Sequence, residues 1–433
     1  MNKVTQRALL AATASVMAAA IGSSANAAAF YLQEQSIRGA GRAFSGETAD
    51  QGAASLWWNP AAIGGMTGGE AVLGVSQIMP RGNVDNVGTL IRRPGQQPAP
   101  VGGDQRSNNP IDNGTLPSGA VAYALTPQLS VGLAVTSPFS FTTNYDATSW
   151  ARYTADKTKL RTIDLQPSVA FALTPNFVIG GAVNVEHSKA TLSNYLPNLS
   201  PLLADGHQTL EGSGWDVGYT LGAQYRGGPV SLGVSYKSSI KHKLDGSVTI
   251  EGLLGPLAAQ NRSIDAMADF RTPWQLTAGL RFKATDKLTL NGQIVRFGWG
   301  KFDAITLGAP LNTAIPEGYR NTWSYAGGVD YAVTPAWTLR AGVQYDETPT
   351  ENLERDARVP DSNRWNFSTG TSFALSKSFT IDGAVSYIKF KDVAINRTTA
   401  AYAGTAVQTP ILVNGRLDNA HALVLAIGGR FSF

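Results

Sequence analysis

The residues able to do chemistry are few. Four histidines, His187, His207, His242 and His421, are the only side chains whose unperturbed titration falls near neutrality. No two of them stand at metal-ligand spacing, and neither a G-x-S-x-G elbow nor an H-E-x-x-H run occurs. Hydrophobic alternation sets His187 and His421 on an apolar register near strand ends, and the sequence puts His207 and His242 in loops. The chain has no cysteine, which removes disulfides, thiol nucleophiles and Cys-liganded zinc. Gly39-Ala40-Gly41 lacks the third glycine and the preceding strand of a phosphate loop. A lipid hydrolase needs a serine and a histidine held together, and nothing in the sequence favours such a pair. The expectation is a protein that is not an enzyme and uses no cofactor or metal.

Charge is more telling. Arg340 and Asp346 are an even number of residues apart in a strand-like run and so share one face, and Arg364 opens the next run. Charges on an enclosed face persist when they pair or when they hold something. Two readings stay open. One is a salt-bridge network bracing a wall; the other is a set of side chains steadying a carboxylate headgroup or an internal plug.

The elements carrying these residues are short alternating strands. In residues 379–387, Phe379, Ile381, Val385 and Tyr387 share one face, and Thr380, Asp382 and Ser386 the other. Residues 337–346 alternate in the same way, from Trp337 against Thr338 to Tyr345 against Asp346. Six similar turns join such runs, at residues 125–128, 173–176, 226–229, 284–287, 333–336 and 375–378. Pro, Gly, Asn, Asp and Ser in them preset or bond a tight turn. Six hairpins account for twelve strands. One strand at residues 69–77 and one at 421–433 make fourteen, an even count that puts both ends of the barrel on the turn side, the periplasm.

Composition agrees. Only 15% of the 433 residues are charged, against roughly 25% in a typical soluble domain. Beyond the first thirty residues no apolar run reaches the about 18 residues of a membrane helix. Low charge without such a helix, with 46 glycines, fits a sheet whose apolar face meets lipid and whose polar face lines a lumen. A soluble sandwich would place polar residues on its outer faces instead. Residues 1–27 read as a secretory signal: Lys3 and Arg7, an apolar run, then Ala25-Asn26-Ala27. Net charge is +4, of which Lys3 and Arg7 supply +2, so nucleic acid is not an expected partner. Phe431-Ser432-Phe433 resembles the C-terminal signal read by the outer-membrane barrel assembly machinery. The expected fold is all-β: a 14-stranded antiparallel transmembrane β-barrel, residues 67–433, in a Gram-negative outer membrane.

The longer connections, at residues 80–118, 142–158, 190–212, 240–264, 303–320, 347–363 and 395–418, are then the outer loops. Two are unexpectedly apolar. Leu196, Leu199, Leu202 and Leu203 recur at helical spacing within residues 191–204, and Leu253, Leu254 and Leu257 follow within 251–259. Apolar clusters in exposed loops need a reason. They either pack on each other as a cap or form a landing groove for a hydrophobic ligand, and both can hold together. In the third strand, Ser137-Pro138-Phe139-Ser140-Phe141 breaks the alternation. Proline cannot donate to a ladder, so Pro138 either ends the strand or kinks it and opens a gap in the wall.

Residues 28–66 have neither helical nor strand periodicity, six glycines, Trp57-Trp58 and a compact Asn59-Pro60-Ala61. Such a segment cannot make a core alone and needs a container. Its motifs carry a resemblance. Ala28-Ala29-Phe30-Tyr31-Leu32-Gln33-Glu34, the segment Gly39-Ala40-Gly41-Arg42-Ala43-Phe44-Ser45-Gly46-Glu47 and Asn59-Pro60-Ala61 resemble the start of the FadL family of outer-membrane long-chain fatty acid and hydrophobic-compound transporters. Tyr345-Asp346-Glu347-Thr348-Pro349 and Pro360-Asp361-Ser362-Asn363-Arg364 resemble its late-strand motifs.

The resemblance implies that residues 28–66 are an N-terminal hatch inside the lumen, with Asn59, Pro60 and Ala61 as its motif. It implies capture of substrate between outer loops, passage to an inner apolar pocket, hatch rearrangement and sideways exit at a kinked third strand, here Ser137 to Phe141. Arg320 is the candidate basic partner for a headgroup in residues 315–320, beside the lumen charges Arg340, Asp346 and Arg364. Long-chain fatty acids and aromatic hydrocarbons both stay open as cargo, with a general porin as the rival from another class. Sideways exit suits a hydrophobic solute, which loses about 0.8 kcal/mol per methylene on entering water, whereas outer-membrane lipid accepts it.

Overall fold

Period-2 alternation and local turns build the whole wall. The structure is a computed structural model that describes residues 30–309 and 311–433; the expected leader, residues 1–27, lies outside them, as do Ala28 and Ala29. The barrel strands are β1 Gly69–Asn86, β2 Gly114–Ala124, β3 Leu129–Thr136 continued by Ser140–Asn144, β4 Lys157–Ala172, β5 Phe177–Leu196 and β6 Gly206–Gly227. Then come β7 Val230–Lys237 continued by Lys241–Glu251, β8 Arg262–Arg271 continued by Trp274–Lys283, and β9 Leu288–Gly298. The last five are β10 Thr322–Thr334, β11 Trp337–Asp346, β12 Arg364–Ala374, β13 Phe379–Phe390 and β14 Thr409–Ser432. Each pairs antiparallel with its neighbours, and β1 pairs with β14 from Glu70↔Ser432 onward, so the sheet closes on itself.

Five of the short turns share one device. A hydroxyl at the same place, Thr126, Thr174, Thr285, Thr334 or Ser376, accepts hydrogen bonds from the backbone N–H groups two and three residues on. These bonds satisfy turn groups with no strand partner. The two faces separate as the alternation requires. Phe171, Tyr219, Tyr325, Phe367 and Leu425 stand outward, while Ser130, Thr220, Gln224, Ser324 and Asn366 are buried on the inner face.

The outer half departs from expectation. β1 has 18 residues and β14 has 24, whereas about 9–11 span a bilayer. The strands therefore continue above the membrane through much of what the sequence assigned to loops. The helical spacing in residues 191–204 is not a helix: β5 runs on to Leu196. Residues 255–260 form a short 3₁₀ helix of two turns. His207 and His242 lie in strands rather than loops, and His242 is fully buried. His187 and His421 take the outward register, half-buried beside the rings of Trp215 and Tyr387. β7 and β8 are broken at residues 238–240 and 272–273, which the sequence reading missed.

Candidate functional site: a plugged lumen with an apolar pocket

Residues 30–66 lie inside the barrel, with only Gln51, Gly52 and the last few residues beside β1 reaching solvent appreciably. The segment is a chain of single turns, each needing its own cap. Ile37–Ala40 is capped by Ser36, whose Oγ accepts from Gly39 N at 3.0 Å. Pro60–Ile63 is capped by Asn59, whose Oδ1 accepts from Ala61 N at 3.0 Å. Pro60 takes the first-turn position, where a missing N–H costs nothing. The Asn59 amide also donates to Thr48 O at 2.8 Å and to the wall carbonyls of Ala223 (3.2 Å) and Val234 (3.3 Å). Asn59 thus ties two turns of the plug to β6 and β7. Gly222 of β6 has to be glycine, because a Cβ there would collide with the Asn59 side chain.

Charge holds the plug from the other side. Arg42, wholly buried, donates to Glu47, to Asp50 at 2.6 Å and to Asp330 of β10 at 3.0 Å. Arg281 of β8 bridges Asp50 (3.1 Å) and Asp330 (2.8 Å), and Arg38 reaches Asp50 at 3.0 Å. Arg340 meets Asp330 at 3.1 Å. Arg364 pairs with Asp346 at 2.9 Å, and Gln33 of the plug donates to Asp346 at 3.4 Å. Arg340, Asp346 and Arg364 therefore sit in two hatch-facing clusters, and Arg340 and Asp346 share the inner face but not a bond. Arg320 joins neither cluster; it is exposed, and its backbone N–H donates to Pro349 O.

Above the plug lies a narrow apolar pocket between Phe141, Leu160, Leu192, Leu210, Phe270 and Phe302. Phe30, at the start of the plug, is its floor, with ring centres 5.0 Å from Trp299 and 5.1 Å from Phe302. Four charged residues, Lys159, Glu211, Glu317 and Arg358, complete the lining. Among the described residues Lys159 has no ion-pair partner, and the nearest carboxylate to Arg358 is Asp356 at 3.9 Å. Glu317 is buried, with Arg397 at 4.0 Å and Arg358 in the same lining. Burial, reinforced by Asp356, pushes its carboxyl up to about 8.

The third strand meets the plug directly. Thr136 pairs with Asp164 and Ser140 with Arg161, so three residues of β3 oppose two of β4, a bulge at Pro138. The β2–β3 ladder stops at Gly119↔Val135, leaving residues 114–118 of β2 paired with β1 alone. The plug supplies the missing partners. Leu32 N donates to Pro138 O at 2.8 Å, and Ser140 N donates to Phe30 O at 3.0 Å. The Gln35 side chain accepts from Ser137 N (3.2 Å) and donates to Ser137 O (3.0 Å), as a neighbouring strand would. Phe139 and Phe141 turn inward onto Phe30, with ring centres 5.9 and 5.8 Å away.

Outside, Leu196, Leu253 and Leu257 are buried together with Leu199 against them, sewn by Asn198, whose Oδ1 accepts from Leu254 N at 2.9 Å. Leu202 is 93% exposed, and Leu203 and Leu254 are exposed too. Phe30, Gln35, Lys159 and Arg358 were not singled out from sequence. Only the distance from Gln35 to residue 137, over a hundred residues on, gives them meaning.

A closed antiparallel barrel of fourteen strands with its own N-terminal segment folded into the lumen defines a class, the plugged transport proteins of the outer membrane. The family described as outer membrane protein transport protein (OMPP1/FadL/TodX) matches residues 18–433, and the chain belongs to it. The chain is 24% identical to a long-chain fatty acid transport protein of Escherichia coli O6:H1, over 92% of this chain and 96% of that one. Its fold is that of a Pseudomonas aeruginosa FadL homologue, with TM-score 0.82 and 24% identity over 94% of this chain and all of the other. It is also similar to the Pseudomonas putida toluene transporter TodX, with TM-score 0.66 and 17% identity over 94% of this chain and all of that one. The protein is an outer-membrane transporter of hydrophobic compounds and not an enzyme.

Proposed function

We propose that the cargo is a long-chain fatty acid. It lands on the exposed leucines of the outer cap, Leu202, Leu203 and Leu254, and passes down into the apolar pocket. Its chain lies against Phe141, Phe270 and Phe302, and its carboxylate meets Lys159 and Arg358. The observation that carries this reading is the double role of residues 30–32: Phe30 floors the pocket while the backbone of Phe30 and Leu32 occupies the free edge of the β3 kink. A chain that displaces Phe30 withdraws those backbone partners, and a gap opens between β2 and β3 toward outer-membrane lipid. Binding shifts the balance between hatch conformers and needs no other energy source. Relatives named for fatty acid and for toluene both support a hydrophobic cargo. Lys159 and Arg358, set among Glu211 and Glu317 in the same lining, offer an anion polar partners that a neutral ring cannot use. The last strand, whose Phe433 exchanges backbone bonds with Gly69 at 2.6 and 2.9 Å, is the end offered to the barrel assembly machinery.

The test is uptake of labelled oleate and toluene by Gram-negative cells stripped of their own transporters of this kind. Lys159→Met with Arg358→Met is expected to weaken oleate binding by about tenfold or more, the scale of one lost charge-assisted contact, and to leave toluene unaffected. Equal oleate affinity in the variant, or sugar entry as fast as oleate entry, removes the proposal.

A further inference from the structure

The wall has a second break, and the hatch takes no part in closing it. β6 pairs with the first half of β7 as far as Thr220↔Lys237, and with the second half only from Ser213↔Asp245. Six residues of β6, 214–219, face seven of β7, 238–244, and none of them is in register. The extra residue reverses the faces of β7: Ser235 is buried below the break, His242 and Leu244 above it. One backbone bond, from Ser238 N to Tyr219 O at 2.9 Å, and two bonds to side chains hold the seam. Ser238 Oγ accepts from Tyr219 N at 2.9 Å, and Asp216 accepts from Lys243 N at 3.0 Å. Between them Ile240 fills the space over Gly218, where a Cβ would lie 2.6 Å from Ile240 Cγ1. Trp215 and Val217, 61% and 65% exposed, face outward along the same stretch.

On the lumen side, Ile240 lines a cavity that also reaches Pro138 and Phe139 of the β3 kink and Trp57 of the plug. One cavity thus touches both breaks in the wall. Its charges select. Asp164 and Glu186 are buried in its lining with the single cation Lys237, whose Nζ lies 4.5 Å above the Trp57 ring. Asp216, 3.6 Å from His242, adds a third carboxylate at the seam. Lys237 is already engaged by Gln166 at 2.9 Å and by the Trp57 ring, so an anion finds no free partner there and an uncharged molecule needs none.

We propose that the β6–β7 seam is a second opening to the bilayer, taken by uncharged hydrophobic molecules and stoppered by Ile240. The inference rests on hydrophobic transport by this family and not on fatty acid being the cargo. A continuous ladder opens only at the cost of a backbone bond at every other residue, whereas this stretch opens by rotamer change of Ile240 and release of three bonds, only one of them between backbones.

The chain has no cysteine, so Gly218→Cys with Ile240→Cys leaves one possible disulfide. The 2.6 Å approach puts the two positions within reach of a bond whose Cβ atoms stand about 3.5–4.5 Å apart. Uptake of toluene and of oleate by cells is measured with the pair oxidised and after reduction by dithiothreitol. The expected result is toluene uptake at least about fivefold slower when stapled, as for a closed gate, with oleate uptake unchanged. A second variant, Ile240→Ala, is expected to speed toluene uptake over the unmodified chain and leave oleate alone. Equal toluene uptake in both redox states, or a parallel fall in both compounds, overturns the second opening while hydrophobic transport stands. If neither compound enters cells carrying the unmodified chain, transport itself fails and the opening with it.

Discussion

The inner and outer halves of the lumen solve opposite problems. Around residues 36–64 the contacts are directional: capped turns, the Asn59 amide on two wall carbonyls, and Arg42 among Glu47, Asp50 and Asp330. Around Phe30, Phe141, Phe270 and Phe302 the contacts are rings and aliphatic chains with no fixed partner. Directional contacts hold one geometry and fail together; apolar contacts exchange one greasy partner for another at little cost. A plug anchored in the first half and ending in the second can keep its root while its tip yields. Residues 30–35 are that tip, joined to the kink by the bonds at Ser137, Pro138 and Ser140 and to the rest of the wall by side-chain bonds of Tyr31 to Gln275 and of Gln33 to Gln344 and Asp346.

The sharpest way to break this contrast is at the join. Deleting Pro138 removes the bulge and lets β3 continue its ladder without the plug. Uptake of oleate is expected to fall to background while oleate binding, followed by fluorescence, persists; unchanged uptake would refute exit at the kink. Next in size is the root. Arg42→Met takes from the buried Glu47 its ion-pair partner and leaves it the Ser55 hydroxyl at 3.1 Å, and breaking a buried ion pair costs about 3–5 kcal/mol. The plug should loosen while the wall stays folded, seen as ion conductance in planar bilayers that the unmodified protein lacks. Conductance equal in both would place the anchor elsewhere.

The smallest effect belongs to the tip's pocket. Glu317 has its folded value raised to about 8, so whatever it gives the closed arrangement is complete below the ordinary carboxylate range and is lost as pH rises through 8. Once ionised it repels a carboxylate ligand. Oleate affinity should drop about threefold to tenfold between pH 7 and pH 9, the size of a partly screened like-charge contact. Glu317→Gln should flatten the profile. A wild-type profile already flat would take Glu317 out of the headgroup region.

What was legible follows from how far each feature reaches. Strand and turn chemistry are local, so the count of fourteen and the Thr and Ser turns could be read directly, and the motifs of residues 39–61 carried the family. The leucines of the cap misled because spacings of three and four arise in a strand end followed by an irregular loop as easily as in a helix; only neighbours decide. The plug's shape was illegible because its partners, such as Asp330 and Ala223, are far along the chain. The break at β8 had a signal in Pro273, a residue that interrupts ladders, whereas residues 238–240 of β7 carry none. The Pro273 signal passed unnoticed beside Pro138. Arg320 was chosen from a motif position, and exposure placed it outside the lumen clusters.

The burial of Arg42 also bears on assembly order. A guanidinium with no exposed surface, clamped between plug and β10, cannot be threaded through a finished cylinder without shedding every partner at once. The hairpins, each closed by its own hydroxyl turn, are local and quick to form. Joining β1 to β14 demands the longest chain closure in the molecule and is the natural last step. The plug is then less a cork fitted to a bottle than the mandrel on which the sheet is rolled.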